Sequence, residues 1–128
     1  MRRLILILTP LIFLNCYEVQ RDCASFKTGT FEFTYTVDGI EKKGTFVRTK
    51  DYNIDYYENK IDSASIRWIN DCEFIQKKIN PKSQSEEKAI HMKILSTSQD
   101  SYTFEYQLAA KDAYKKKRVE RGTARKIK

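Results

Sequence analysis

Two-residue alternation of apolar side chains runs through this chain and limits its fold more than any other feature. The pattern is clearest in two runs, Phe31, Phe33, Tyr35 and Val37, and Tyr102, Phe104, Tyr106 and Leu108. Successive side chains of a β-strand point to opposite faces, so each run places its apolar residues on one face of a strand. Weaker runs of the same kind fill most of the remaining chain and bring the predicted number of short strands to about eight.

The predicted strands follow one another with short connections. Asp38-Gly39 is a two-residue hairpin signal after the first run. The further strands are marked by Lys42 to Thr49, by Tyr52, Ile54 and Tyr56, by Ile66 and Trp68, by Cys72 to Ile79, by Ile90 to Leu95, and by Val119 to Ile127. Between the fifth and sixth strands, Ser83 and Glu86 have the spacing of a capping box. This spacing predicts either one or two helical turns over residues 84–89 or an ordinary polar loop.

This order of elements predicts an all-β fold, a single antiparallel meander of about eight strands. A meander removes its exposed edges by closing, fully or partly, into a lipocalin-like barrel, or by folding into a two-layer sandwich. The sequence leaves both arrangements open. An eight-stranded barrel is just wide enough for side chains to fill or for one small ligand to enter.

The first fifteen residues have the pattern of an export signal. Arg2 and Arg3 precede an apolar run over residues 4–14 that is shorter than the ~20 residues of a membrane-spanning helix. Phe13-Leu14-Asn15-Cys16 resembles a bacterial lipobox, in which the cysteine becomes the first mature residue and carries lipid. We therefore expect a signal peptide at residues 1–15 and a lipidated Cys16, with ordinary cleavage nearby as the alternative. The protein is then exported and membrane-anchored in the bacterial cell envelope, facing the periplasm or the surface.

The chain has three cysteines, and an odd number in an exported protein suggests that one has a separate fate. If Cys16 is lipidated at the start of a linker over residues 16–25, Cys23 and Cys72 remain to form a disulfide. The oxidising compartment permits this bond, and two buried thiols are the alternative. A bond across a loop of this length stabilises the fold by about 4 kcal/mol.

The net charge of +7 comes from the C-terminal end of the β domain that we predict over residues 26–128. Residues 111–128 carry nine basic and two acidic side chains, so the rest of the chain is neutral. This basic segment is expected to contact an anionic envelope component, or to be a solvated edge strand whose charges block aggregation. We do not expect a nucleic-acid partner, because exported proteins rarely meet nucleic acid.

No catalytic, metal-binding or cofactor motif stands out in the sequence. His91 is the only histidine, and no cysteine or acid lies at ligand spacing from it. The acidic residues on or near strands, among them Glu32, Glu58, Glu73, Glu105, Asp55 and Asp71, are expected to lie on solvated faces. The aromatic residues either fill the core, which we favour for a body this small, or line a ligand cavity. The candidates are Phe33, Tyr35, Tyr56, Trp68, Phe74, Phe104 and Tyr106.

The stretch from Ile66 to Phe74, IRWINDCEF, is similar to a motif in small envelope lipoproteins of Bacteroidota-type bacteria, and so is FKTGTF from Phe26 to Phe31. Its most specific part is W-x-x-x-C-E-[FY], here Trp68, Cys72, Glu73 and Phe74. The resemblance implies an envelope address and a β fold, and it transfers no catalytic residue. Some of these lipoproteins carry a DNA topoisomerase IV name, but this chain lacks the large DNA-gate domain, acidic metal cluster and ATPase of such enzymes.

These features lead us to expect a non-enzymatic binding or interaction module without a cofactor, whose protein partner the sequence does not identify. The alternative is an envelope enzyme or enzyme inhibitor with a site that no motif reveals. A cavity containing His91 or two converging carboxylates would favour the alternative. A fully packed interior with an exposed aromatic patch would favour the interaction module.

Overall fold

Eight antiparallel strands form the fold in the part of the chain that the structure describes, and each pairs with its neighbours in the sequence. The structure, a computed structural model, describes residues 21–110 and 118–128. The strands are β1 (Gly29–Val37), β2 (Ile40–Arg48), β3 (Tyr52–Tyr57), β4 (Lys60–Asn70), β5 (Glu73–Lys78), β6 (Ile90–Thr97), β7 (Ser101–Leu108) and β8 (Glu120–Lys126). Because β1 also pairs with β8, the sheet closes into a barrel. The predicted meander is confirmed. The sequence left a barrel and a two-layer sandwich open, and the structure is a closed barrel.

The strand register turns the alternating aromatic residues toward the barrel interior. Phe31 lies opposite Phe46 on β2, and their rings stack at 4.8 Å. On the other side, Tyr102 lies opposite Ala124 on β8. These four residues are buried, and they form the centre of the core together with Ile94. The core therefore sits inside the barrel, where the two-residue period predicts it.

One end of the barrel is closed by residues 21–26, which we call the plug. A short 3-10 helix, Ala24–Phe26, follows Cys23, and the Phe26 ring packs 5.2 Å from that of Tyr102. Cys23 and Phe26 are each only 2% exposed. A disulfide joins Cys23 to Cys72, with the Cα atoms 5.2 Å apart and a sequence separation of 49. The predicted pairing is confirmed, and it fastens the plug to the turn between β4 and β5.

The predicted linker over residues 16–25 packs against the barrel along the part that the structure describes. Arg21 donates a hydrogen bond from Nη1 to the carbonyl oxygen of Ile94, at 2.9 Å. The backbone N–H of Asp22 donates to Oγ1 of Thr97, also at 2.9 Å. Residues 21–25 are thus held in place by β6. The predicted signal peptide and Cys16 lie outside the described residues.

Two tight hairpins lie at the opposite end of the barrel. Asp38 and Gly39 turn β1 into β2 with φ values of 51° and 77°. Glu58 and Asn59 turn β3 into β4 with φ values of 47° and 59°. Positive φ at both central residues is what two-residue hairpins between twisted strands require. Glu58 thus lies in a turn, whereas the sequence analysis placed it on a strand face.

The segment between β5 and β6 is a loop, the polar-loop alternative, and it contains a single helical turn in which the Glu87 N–H donates to the Ser83 carbonyl oxygen at 3.2 Å. Residues 84–87 form one isolated turn. Ser83 Oγ accepts a hydrogen bond from the Glu86 N–H at 3.3 Å, as in a capping box. The Glu86 carboxylate, however, accepts from the Lys82 N–H and from Lys78 Nζ. The apolar residues that would continue a helix belong to β6.

Candidate ligand-binding cavity

The barrel interior is filled only in the half next to the plug. Beyond that core, a cavity of about 800 Å³ extends toward the hairpin end. Small-molecule sites typically measure roughly 300–1,000 Å³, so the space suits a ligand of drug-like size. The favoured expectation of a completely filled interior is therefore wrong for this half of the barrel.

Aromatic and other apolar side chains form the walls of the cavity. Four of the predicted aromatic candidates line it in two neighbouring pairs. Phe33 and Tyr35 on β1 have ring centroids 5.8 Å apart, and Phe104 and Tyr106 on β7 have centroids 6.2 Å apart. Met92 on β6 adds a flexible thioether. These walls can contact an apolar ligand body without requiring one fixed shape.

Two glycines let the wall aromatics lie flat against the sheet. Gly44 is the register partner of Phe33, and a Cβ there would lie 2.5 Å from the Phe33 ring. Gly122 is the partner of Phe104, and a Cβ there would lie 2.7 Å from that ring. Each ring therefore covers the bare backbone of the next strand. Side chains at these two positions would push the rings into the space that is now open.

The other three aromatic candidates do not line the cavity. Phe74 is buried in the filled half, and half-buried Trp68 packs against it with ring centroids 4.7 Å apart. Tyr56 is 40% exposed on the outer face, so its prediction as a core or lining residue is wrong. The cause is the register of β3, in which Asp55 lies opposite inward-facing Phe46. Inward positions on β3 are therefore 53, 55 and 57.

A buried arginine forms the boundary between the filled half and the cavity. Arg48 is 3% exposed and donates hydrogen bonds to the carbonyl oxygen of Phe26 (3.1 Å), to the hydroxyl of Tyr102 (2.8 Å) and to Oδ1 of Asn53 (3.3 Å). Its guanidinium carbon also lies 4.8–5.6 Å from four aromatic ring centroids. A charge at this depth persists only with such partners. Arg48 thus connects the plug, β7 and β3.

Asp55 carries the polar chain from Arg48 into the cavity. Asn53 accepts from Arg48 through Oδ1 and donates through Nδ2 to Oδ1 of Asp55, at 2.9 Å. Desolvation by burial is the largest influence on Asp55 and raises its pKa from 3.8 to about 6, against the lowering effects of Asn53 and Arg48. Asp55 lines the cavity, so its carboxylate faces the space where a ligand would sit.

A second carboxylate lies directly opposite Asp55, on β4. Asp62 is the register partner of Asp55, and its negative charge adds to the rise in the Asp55 pKa. The Tyr57 hydroxyl donates to Asp62 at 2.5 Å and, with help from Lys78 at 3.3 Å, holds the Asp62 pKa below its usual value. The same hydrogen bond raises the pKa of Tyr57 to about 12. The two carboxylates therefore differ, one satisfied and ionised, the other poorly solvated.

A smaller space of about 300 Å³ lies between β3, β4 and the loop that precedes β6. It shares Asp55, Gln76 and Ile90 with the larger cavity. Lys78 and Glu86, which pair at 3.0 Å, line its outer side. Asp55 thus faces both spaces.

The remaining polar residues singled out in the sequence lie on the outer face. His91 contacts Glu73 there, with Nε2 3.2 Å from Oε1. In the described part of the basic segment, Arg125 pairs with Glu32 at 3.2 Å. No group of three or more potential metal ligands occurs within residues 21–110 and 118–128.

Sequence reasoning missed the polar residues of the cavity, although one signal was present. Arg48 lies two residues after Phe46 and therefore shares its inward face. The signal is thus a charged residue at a position that faces the core. On β3 the apolar residues alternate with Asn53, Asp55 and Tyr57, and the apolar set was taken as the inner one. The register with β2 instead turns Asn53, Asp55 and Tyr57 inward. The alternation within β3 alone does not tell which of its two faces is the inner one.

Comparison with protein families, with curated proteins and with solved structures finds no match. The resemblance to envelope lipoproteins accordingly stays a prediction. The binding role of the barrel therefore depends on its geometry alone. Among the residues that the structure describes, no helix has the length and apolar character needed to cross a membrane.

Proposed function

We propose that this protein is a non-enzymatic binding module that holds a small, largely apolar ligand inside its barrel, and that it does so tethered to the bacterial envelope through Cys16. The observation that carries the binding role is the cavity of about 800 Å³ in the hairpin half of the barrel. The export pattern at residues 1–16 supports the location.

The arrangement of the barrel supports ligand binding over a role as a rigid spacer. Plug, disulfide and core occupy one half and supply the stability of a closed barrel. The other half keeps aromatic rings against the walls, with Gly44 and Gly122 beneath them. A fold selected only for stability would fill this space, because empty volume costs van der Waals contacts.

Binding can be tested with phenylnaphthylamine, an apolar dye whose fluorescence rises when it leaves water. We expect the folded protein to enhance its fluorescence with saturable binding. Met92→Trp should reduce this binding strongly, because the larger ring occupies the cavity. His91→Trp is the matched control, since it adds the same ring one residue away on the outer face. Equal dye binding by both variants, or none by the parent, would refute the cavity as a binding site.

The envelope location needs a separate measurement. We expect intact-mass analysis of protein recovered from a bacterial host to show the loss of residues 1–15 and acyl mass on Cys16. A mature N-terminus elsewhere without added lipid would contradict the tether and leave the binding role to stand by itself.

Asp55 and Asp62 favour one second candidate, a hydrolase. Acid–base hydrolysis needs two carboxylates with separated pKa values, and these two residues lie opposite each other with pKa values shifted in opposite directions. Both oxygens of Asp62, however, already accept from Tyr57 or Lys78. Hydrolysis of aryl glycosides that disappears in both Asp55→Asn and Asp62→Asn would favour the enzyme.

A further inference from the structure

We propose that the cavity selects ligands that carry an ammonium group, which pairs with Asp55 while an aromatic or other apolar body lies against the walls. This inference rests on the proposed ligand-binding function and specifies the chemical class of the ligand. It follows from a comparison of two charges that line the cavity, buried Arg48 and half-buried Asp55.

The buried cation is already satisfied by the protein. Arg48 has three oxygen acceptors, on Phe26, Tyr102 and Asn53, at 2.8–3.3 Å. Four aromatic faces surround its guanidinium and attract its positive charge. Arg48 lines the cavity, but at 3% exposure it offers little surface to a ligand. A ligand carboxylate or phosphate would therefore gain little from this arginine.

The anion, half-buried Asp55, is not satisfied in the same way. Asp55 accepts one hydrogen bond, from Asn53 to Oδ1, and Oδ2 has no partner among residues 21–110 and 118–128. Arg48 makes no direct ion pair with Asp55 among these residues, because Asn53 lies between them. A carboxylate that has lost part of its water and gained only one donor lacks part of the stabilisation it has in solution. An ammonium group of the ligand would supply both a donor and the missing positive charge.

The surroundings of Asp55 favour a cation over an anion for two further reasons. Asp62 on the neighbouring strand would repel an anionic group at this position. The aromatic walls, including Tyr35 and Tyr57 with centroids 6.2 Å apart, present ring faces and edges of the kind that bind ammonium groups in aromatic cages. Two further cations lie nearby and are already paired, Lys78 with Asp62 and Glu86, and Arg121, which also lines the cavity, with Glu105 at 3.5 Å.

The test uses three probes that share one body and differ in the head group: phenylbutylamine, phenylbutanoate and phenylbutanol. Affinities are measured by isothermal titration calorimetry at pH 8, where Asp55 is ionised. We expect the amine to bind about tenfold tighter than the alcohol, and the carboxylate to bind weakest. Asp55→Asn should abolish the advantage of the amine over the alcohol. Glu32→Gln removes the same charge on the outer face and should preserve the order of affinities.

Three results would overturn the inference: equal affinity for amine and alcohol, tighter binding of the carboxylate, or an amine preference that survives Asp55→Asn. Failure of all three probes to bind would also overturn it. Phenylnaphthylamine then separates the two proposals. If the dye still binds in a Met92-dependent manner, only the ammonium selectivity fails, whereas loss of dye binding as well removes the proposed function.

Discussion

Replacement of Asp55 by asparagine is expected to stabilise the protein above pH 6. Burial raises the Asp55 pKa from 3.8 to about 6, so ionisation costs more free energy in the folded chain than in the unfolded one. Asparagine has nearly the same shape, carries no charge and keeps an oxygen that can accept from Asn53 Nδ2. The variant therefore removes the cost of the charge and retains the packing of β3.

The sign and size of this effect follow from proton linkage. Between pH 4 and pH 6 the folded protein binds more protons at Asp55 than the unfolded chain does, so stability falls as pH rises and then stays lower. A pKa change from 3.8 to about 6 corresponds to about 3 kcal/mol. Because Asp55 faces a cavity that water can enter, we expect Asp55→Asn to raise the free energy of unfolding by about 1–3 kcal/mol at pH 8, and by much less at pH 4.

Urea unfolding followed by circular dichroism, for parent and variant between pH 4 and pH 8, measures this difference directly. Outer carboxylates such as Glu32 and Asp71 have lowered pKa values, so their stabilisation is lost in acid. That loss is common to both proteins and cancels in the comparison. A difference that does not change between pH 4 and pH 8, or a variant less stable than the parent at pH 8, would refute the reasoning.

Three further variants or treatments test the packing. Reduction of the Cys23–Cys72 bond should lower the free energy of unfolding by about 4 kcal/mol in urea titrations, and an unchanged midpoint would contradict its role. Trp68→Ala should cost about 2 kcal/mol, less than the ~3–5 kcal/mol of a fully buried ring, because Trp68 is half-buried; no loss would place it outside the core. Gly122→Ala should push Phe104 into the cavity, weakening phenylnaphthylamine binding and lowering the free energy of unfolding by about 1 kcal/mol, the lower end of the cost of overpacking; undiminished dye binding would argue against this.

The number and order of strands could be predicted from the sequence because each strand carries its own signal. The period-two runs on β1 and β7 fix their inner faces, and Asp38-Gly39 fixes the first hairpin. The disulfide could be predicted because the expected lipidation of Cys16 would leave only one pairing, Cys23 with Cys72. These features depend on residues close together in sequence or on a simple count.

The cavity could not be predicted, because it depends on how strands pair. Asn53 and Asp55 face inward since β3 pairs with the inner residues Phe46 and Arg48 of β2. The open volume depends on Gly44 and Gly122 lying beside the wall aromatics across neighbouring strands. The alternation within a single strand shows neither the register between strands nor which residue lies beside an aromatic ring. The sequence alone therefore favoured a filled interior.

Met92 provides the most direct test of ligand binding inside the barrel. It lines the cavity, and apart from Met1 it is the only methionine of the chain, so one labelled methyl group reports on this space. On titration with phenylbutylamine, we predict a saturable shift of the Met92 methyl resonance and nuclear Overhauser effects between that methyl and the phenyl protons of the ligand. A Met92 resonance that stays unchanged while calorimetry detects binding would place the ligand outside the cavity and contradict the account.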